Sequence, residues 1–315
     1  MEWIVEKNCS NSQTAAKCMP FFQPYIEMLL KEIELNSLDY FVIADSNDVL
    51  FRESVEKYAF ILGIEENVTQ DGLYFAAGKT LCGINVDGRI HQAIVIKSEV
   101  WVEAAVEYAQ DSGRLPEELC FCPSPSRSKC AIILHEIGHA VDGDFQFKIS
   151  GSLNTKTQYD LRFEYDEYVK QTALSLWGEY FAESFACKRL LPKEASINYC
   201  RSDLLTCLAS YSNGTDGYDI RERVYRILYF FMLWLATRHQ QTKHGDHIDY
   251  SSIWQEPIIF EYRPLLLKFE RAIDNLERDY PRWESYDRLN ELMALIKSFF
   301  SFEHRRQLRI KCTGK

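Results

Sequence analysis

Apolar and polar positions alternate with changing period along the first hundred residues. Leu38 to Ala44 is a short apolar run typical of a strand, and Thr80 to Lys97 predicts two strands joined at Asp87-Gly88. Asp-Gly between two such runs is a strong hairpin signal. Helical spacing is found in Pro24 to Leu35, Val49 to Leu62 and Ser98 to about Gln110. This part of the chain therefore predicts a small mixed sheet with helices packed on it.

From residue 129 onward the pattern is mainly helical. The predicted helices are Lys129 to Val141, Ala173 to Leu191, Val224 to Thr237, Leu265 to Asp279 and Tyr286 to Phe299. Asp142-Gly143 and Pro192 are expected to end the first two of them. The prediction is an α+β fold, divided near residue 195 into a mixed domain, 1–194, and an all-helical C-terminal domain, 195–315.

Composition and charge narrow the class of protein. Of the 315 residues, 46% are hydrophobic and 26% are charged, as in ordinary globular proteins. The net charge of -10 argues against general nucleic-acid binding. The longest apolar run, Ile227 to Ala236, is about half of the roughly 20 residues that a membrane-spanning helix needs. The first residues carry no secretory signal pattern, and the scattered cysteines favour reduced thiols, so we expect a cytoplasmic protein without a membrane anchor.

Candidate chemistry lies in the predicted helix that begins at Lys129. His135 and His139 are four positions apart, so both imidazoles project from one helix face. Zinc prefers nitrogen ligands in a tetrahedral arrangement, and this spacing supplies two of them. Glu136 is roughly 100° around the helix from His135, where a carboxylate can take a proton from zinc-bound water. The segment His135 to His139 therefore predicts a catalytic zinc site with Glu136 as general base.

A catalytic zinc needs a third protein ligand. The metzincin pattern would place a glycine and a further ligand where Asp142 and Phe145 stand, which disfavours that class. A better source is the predicted helix around Trp177 to Ala186, where Glu179 and Glu183 are four positions apart. One carboxylate can bind the metal while the other accepts a hydrogen bond from a ligand imidazole.

These residues resemble the glutamate-type zincins, which have a ligand glutamate on a second helix and an acidic residue four positions later. The resemblance implies a zincin-like core, with Glu179 as the third zinc ligand and Glu183 as the carboxylate behind a ligand imidazole. Ser126 to Glu136 resembles the entry to the active-site helix of the ImmA/IrrE metallopeptidases. Glu179-x-x-Ala182-x-x-Phe185-Ala186 resembles the second motif of the same family.

The two motifs are also similar to the catalytic domain of anthrax lethal factor. In that type, a tyrosine shortly before the third ligand steadies the oxyanion. Thr172 stands at that position here, so the role cannot be carried over. Tyr165 and Tyr168 are the nearest candidates for donating to the tetrahedral intermediate.

The expected function is hydrolysis of peptide bonds in a protein substrate by a zinc metallopeptidase, as a regulatory protease of the ImmA/IrrE type. We expect Gln92 to Lys97 to be an edge strand that holds the substrate by strand addition. One alternative is a phage- or stress-response regulator that binds a partner at a zincin site, and another is a lethal-factor-like effector protease. In any of these, the helical C-terminal part is expected to bind a regulator or another subunit.

Overall fold

The computed structural model describes residues 1–6, 11–64, 77–84, 88–111, 128–150, 165–190, 194–212, 219–243 and 250–313. The chain divides into two compact units, Met1–Thr157 and Gln158–Lys315. The predicted α+β class is confirmed, since the described part has one small mixed sheet and a helical C-terminal part. The predicted functional division at residue 194 stays a prediction.

The first unit contains a four-stranded sheet. Its strands are β1 (Glu2–Val5), β2 (Leu38–Ala44), β3 (Gly78–Ile84) and β4 (Ile90–Lys97), in the spatial order β1-β2-β4-β3. The first three in this order are parallel, and β3 is antiparallel to β4. The predicted strand pair is confirmed, with Ile84 opposite Ile90. Gly88 has a φ of 74°, a backbone conformation that glycine adopts readily in hairpin turns, while Asp87 lies outside the described residues.

The expected edge position of Gln92 to Lys97 is wrong. This segment lies in β4, which pairs with β2 on one side and with β3 on the other. The edge strands of the described sheet are β1 and β3. The near-continuous apolar run of β4 is what a strand buried on both faces shows, so its hydrophobicity indicates a central strand.

Four helices belong to the first unit: α1 (Ser12–Glu32), α2 (Asp48–Ile61), α3 (Ser98–Asp111) and α4 (Lys129–Ser150). Helix α2 begins after Asn47, whose side chain accepts hydrogen bonds from the backbone amides of Val49 and Leu50. Helix α1 starts well before the predicted Pro24, and both Pro20 and Pro24 lie inside it.

Apolar side chains cover both faces of the sheet. On one face, Val42 and Val95 pack in a buried cluster with Phe51 and Tyr58 of α2. On the other, the ring of Phe41 stacks on Trp3 at 4.4 Å between centroids, and Trp101 of α3 contacts Phe22 of α1 at 4.8 Å. Because successive strand residues point to opposite faces, a continuous apolar run serves both layers.

Helix α4 continues beyond the predicted end at Asp142-Gly143 and runs to Ser150. At Gly143 the helix packs closely against the sheet. A Cβ atom at this position would lie 2.9 Å from Cys82 Sγ and 3.1 Å from Gln92 Oε1. The glycine therefore lets the middle of α4 approach β3 and β4, and its presence does not end the helix.

A buried polar cluster attaches the same part of α4 to the sheet. The side-chain amide of Gln92 lies 3.0 Å from the Ala140 carbonyl oxygen and 2.8 Å from Asp144 Oδ1, and Gln92 Oε1 accepts from Cys82 Sγ at 2.9 Å. Ser37 Oγ donates to Asp144 Oδ1 at 2.5 Å. Burial raises the pKa of Asp144, and it raises the pKa of the Cys82 thiol to about 12.

The second unit is helical in all its described elements. Its α-helices are α5 (Tyr165–Arg189), α6 (Glu194–Ser212), α7 (Ile220–Lys243), α8 (Arg263–Asp279) and α9 (Asn290–Thr313). Short 3-10 turns cover Tyr250–Gln255, Pro257–Ile259 and Tyr286–Leu289. The apolar run Ile227 to Ala236 forms the middle of α7. No described helix is long and apolar enough to cross a membrane.

Replacement of Gln92 by leucine should destabilise the first unit by about 1–3 kcal/mol, because it leaves buried partners without their hydrogen bonds. Urea unfolding of the wild type and Gln92→Leu measures the difference in free energy of unfolding. Gln23→Leu is the matched control. Among the described residues Gln23 bonds Glu27, at an exposed position of α1, so its change should stay within about 0.5 kcal/mol. Equal losses in the two variants would contradict the role assigned to Gln92.

Candidate metal centre

The start of α4 is held by a carboxylate from α3. Glu107 accepts hydrogen bonds from Ser128 Oγ at 2.7 Å and from the backbone amides of Lys129 and Cys130, both at 3.1 Å. A carboxylate at this end of a helix satisfies amides that lack intrahelical partners and opposes the positive end of the helix dipole. The helix therefore begins at a defined position, less than two turns before His135.

The two histidines of α4 have the geometry of metal ligands. Nε2 of His135 lies 3.1 Å from Nε2 of His139, and the rings are at 84° to each other. Two nitrogens bound at about 2.0–2.1 Å to one tetrahedral zinc would be about 3.3 Å apart. His135 is buried and His139 is half-buried. The spacing of the two nitrogens thus fits two ligands of a single zinc ion.

Glu179 lies in α5 of the second unit, and its role as the third zinc ligand stays a prediction. Two nitrogens and one carboxylate oxygen form a donor set suited to a catalytic zinc, with a fourth position left for water.

The carboxylate of Glu136 is held by β3. Thr80 Oγ1 lies 2.8 Å from Glu136 Oε2 and 2.7 Å from the Glu136 carbonyl oxygen. Gly78 lies beside the same side chain, since a Cβ atom there would be 2.8 Å from Glu136 Cγ. Sequence reasoning missed both residues, because only the packing of β3 on α4 brings them to Glu136.

Glu183 is buried one turn after Glu179, and its Oε1 accepts a weak hydrogen bond from Cys187 Sγ at 3.8 Å. Its predicted role as the acceptor for a ligand imidazole stays a prediction. The adjacent residue, Ser184, accepts a hydrogen bond from Gln240 of α7 at 2.6 Å. This stretch of α5 is therefore held to α7 by a buried polar contact.

The two candidate tyrosines lie at the other end of α5. Tyr165 is 42% exposed, while Tyr168 is buried against Phe300 and has the guanidinium of Arg221 over its ring. At a rise of 1.5 Å per residue, their Cα atoms are about 21 Å and about 16 Å along the helix axis from Glu179. Their oxyanion role stays a prediction.

A further polar cluster fixes α5 beside Glu179. The hydroxyl of Tyr180 donates to Glu277 Oε2 at 2.9 Å and lies 2.9 Å from His239 Nδ1. Burial, reinforced by the charge of Glu277, raises the pKa of Tyr180 well above its usual value. Lys243 also bonds Glu277, at 2.7 Å. These contacts link α5 to α7 and α8, and they give His239 a hydrogen-bond partner within the second unit.

The chain matches no protein-family model, and comparison with curated proteins and with solved structures found no similar protein.

Glu179→Ala should lower the zinc content of the purified protein, because two imidazoles alone bind zinc more weakly than three ligands do. Zinc is measured by mass spectrometry of the metal after dialysis against metal-free buffer. Glu167→Ala is the matched control, since Glu167 lies on the same helix and bonds Gln171 at 2.7 Å. This control should bind zinc like the wild type. Stoichiometric zinc in Glu179→Ala would exclude Glu179 as the third ligand.

Proposed function

We propose that this protein is a zinc-dependent metallopeptidase that cleaves a protein substrate, as a regulatory protease of the ImmA/IrrE type. The observation that carries the proposal is the pair of His135 and His139, whose Nε2 atoms lie 3.1 Å apart, with Glu136 on the same helix. Two nitrogens and one carboxylate oxygen are a common ligand set of hydrolytic zinc. A glutamate next to the first histidine is the general base that such a site requires.

The residues divide the chemistry between them. His135, His139 and Glu179 would hold the zinc, which when bound polarises a carbonyl group and acidifies water. Glu136 would take a proton from the attacking water and later transfer it to the leaving amine. Because Oε2 of Glu136 accepts a hydrogen bond from Thr80, Oε1 would be the oxygen that takes this proton.

An extended substrate would bind along β3. This strand pairs only with β4 in the described sheet, so its other edge presents backbone groups for strand addition. Thr80, in the middle of β3, contacts the proposed base directly. A peptide paired with β3 would therefore run beside Glu136. Holding the substrate in this way is the role that the sequence predicts for Gln92 to Lys97.

Further features support a regulatory protease of the cytoplasm. The net charge of -10 favours a protein or peptide substrate over nucleic acid. Ten cysteines without a regular framework suit a reducing compartment. The helical part after residue 195 is the proposed site for a regulator or another subunit.

Glu136→Gln should keep zinc and lose cleavage, because the amide cannot accept a proton. We expect the rate to fall by at least about 100-fold, the usual contribution of a general base. The zinc-loaded wild type and variant are incubated with a pool of unstructured peptides, and new termini are identified by mass spectrometry.

The control is Glu167→Gln, which should cleave like the wild type. Equal cleavage by the wild type and Glu136→Gln would sink the proposed catalysis. Equal biological activity of these two proteins in cells would favour a regulator that acts by binding a partner.

A further inference from the structure

Among the described hydrogen bonds, the carboxylate of Glu136 is bonded by Thr80 of β3, a residue outside the segment His135 to His139. We infer that Thr80 is a positioning residue, which holds the Glu136 carboxylate so that one oxygen is left for the attacking water. The inference rests on the proposed peptidase function and assigns a role to a residue of the sheet. It makes the orientation of the base depend on β3.

The first observation is the double contact of one hydroxyl. Thr80 Oγ1 lies 2.8 Å from Glu136 Oε2 and 2.7 Å from the carbonyl oxygen of the same residue. The hydroxyl carries a single hydrogen, which these two acceptors share. One side chain of β3 thereby contacts both the backbone and the carboxylate of Glu136, and it restricts the side-chain torsions between them.

The second observation is independent and concerns Gly78, two residues earlier on the same face of β3. A Cβ atom at Gly78 would lie 2.8 Å from Glu136 Cγ and 2.6 Å from Ile96 Cδ1. These distances are shorter than ordinary carbon contacts, so any side chain at this position would displace one of its neighbours. β3 thus leaves space for the stem of Glu136 at Gly78 and binds its carboxylate at Thr80.

This arrangement matters because a general base works only within hydrogen-bond reach of its proton. The required separation is about 2.6–3.2 Å, and a small misplacement of a reacting group can cost up to about 100-fold in rate. Glu136 has several side-chain torsions with staggered alternatives. Without the hydroxyl of Thr80, the carboxylate would populate other rotamers while the histidines on α4 stay in place.

The test replaces the hydroxyl and then restores it. Thr80→Val keeps the branched shape suited to a strand but removes the hydrogen bond, and Thr80→Ser keeps the hydroxyl. With one peptide that the pool assay identifies as a substrate, kcat of Thr80→Val should fall about 10- to 100-fold, with KM and zinc content unchanged. Thr80→Ser should recover most of the loss.

Two further variants separate base positioning from general loosening of α4. Ser37→Ala removes a different hydroxyl contact to α4, the bond to Asp144, and should leave kcat unchanged. Gly78→Ala should lower kcat with zinc retained, because the added methyl group displaces the stem of Glu136 or its neighbour Ile96.

Crystal structures of the zinc-loaded wild type and Thr80→Val give a readout that does not depend on activity. We expect the Glu136 carboxylate to leave its original rotamer in Thr80→Val, with both histidines unmoved. An unchanged Glu136 rotamer in Thr80→Val, or a wild-type kcat in this variant, would overturn the inference. The proposed function would still stand in that case if the wild type cleaves and Glu136→Gln does not. If the wild type does not cleave, or if Glu136→Gln cleaves equally well, the proposed function fails and the inference fails with it.

Discussion

The seating of α4 on β3 and β4 is the constraint on which the candidate chemistry of the first unit depends. It is made largely by buried polar groups, with Gln92 bonding the middle of the helix and Thr80 bonding Glu136 one turn earlier. Such groups are costly to bury unless each finds its partner, so they allow few alternative positions of the helix. Gly143 permits the close approach, and Glu107 fixes where the helix begins. The direction of the imidazoles and of the base follows from this single placement.

In the second unit, α5 is held near Glu179 in a comparable way. Trp177 packs against the rings of Tyr280 and Trp283, each at 4.9 Å between centroids, while Tyr180 bonds Glu277 of α8. Aromatic packing supplies buried area, and the polar contacts select one rotation of the helix about its axis. The side chain of Glu179 is therefore carried by a helix with little freedom to turn.

What the sequence predicts well is what a single helix determines. The periodicity of Lys129 to Val141 identifies a helix, and helix geometry alone puts His135 and His139 on one face. The two strands Gly78–Ile84 and Ile90–Lys97 were predictable because an Asp-Gly turn between apolar runs specifies its own pairing. The pairing of β4 with β2 was not, because it joins segments far apart in the chain. The apolar run of β4 is that of a strand buried on both faces, so the edge position predicted for it was wrong.

The same distinction separates the ligands of the candidate centre from its base. The two imidazole nitrogens are 3.1 Å apart because their side chains lie one helical turn apart, so the motif alone determines this distance. The orientation of Glu136 instead depends on a hydroxyl 56 positions away in sequence, which no local pattern reveals. Gly143 is a second case in which a local sequence pattern does not predict the structure. The tendency of glycine to end a helix is a local effect. Here it does not decide the structure, because Cys82 and Gln92 of the sheet pack where a side chain at this position would lie. In this molecule a helix motif brings two candidate metal ligands together by itself, whereas the orientation of the candidate general base depends on a second element of the fold.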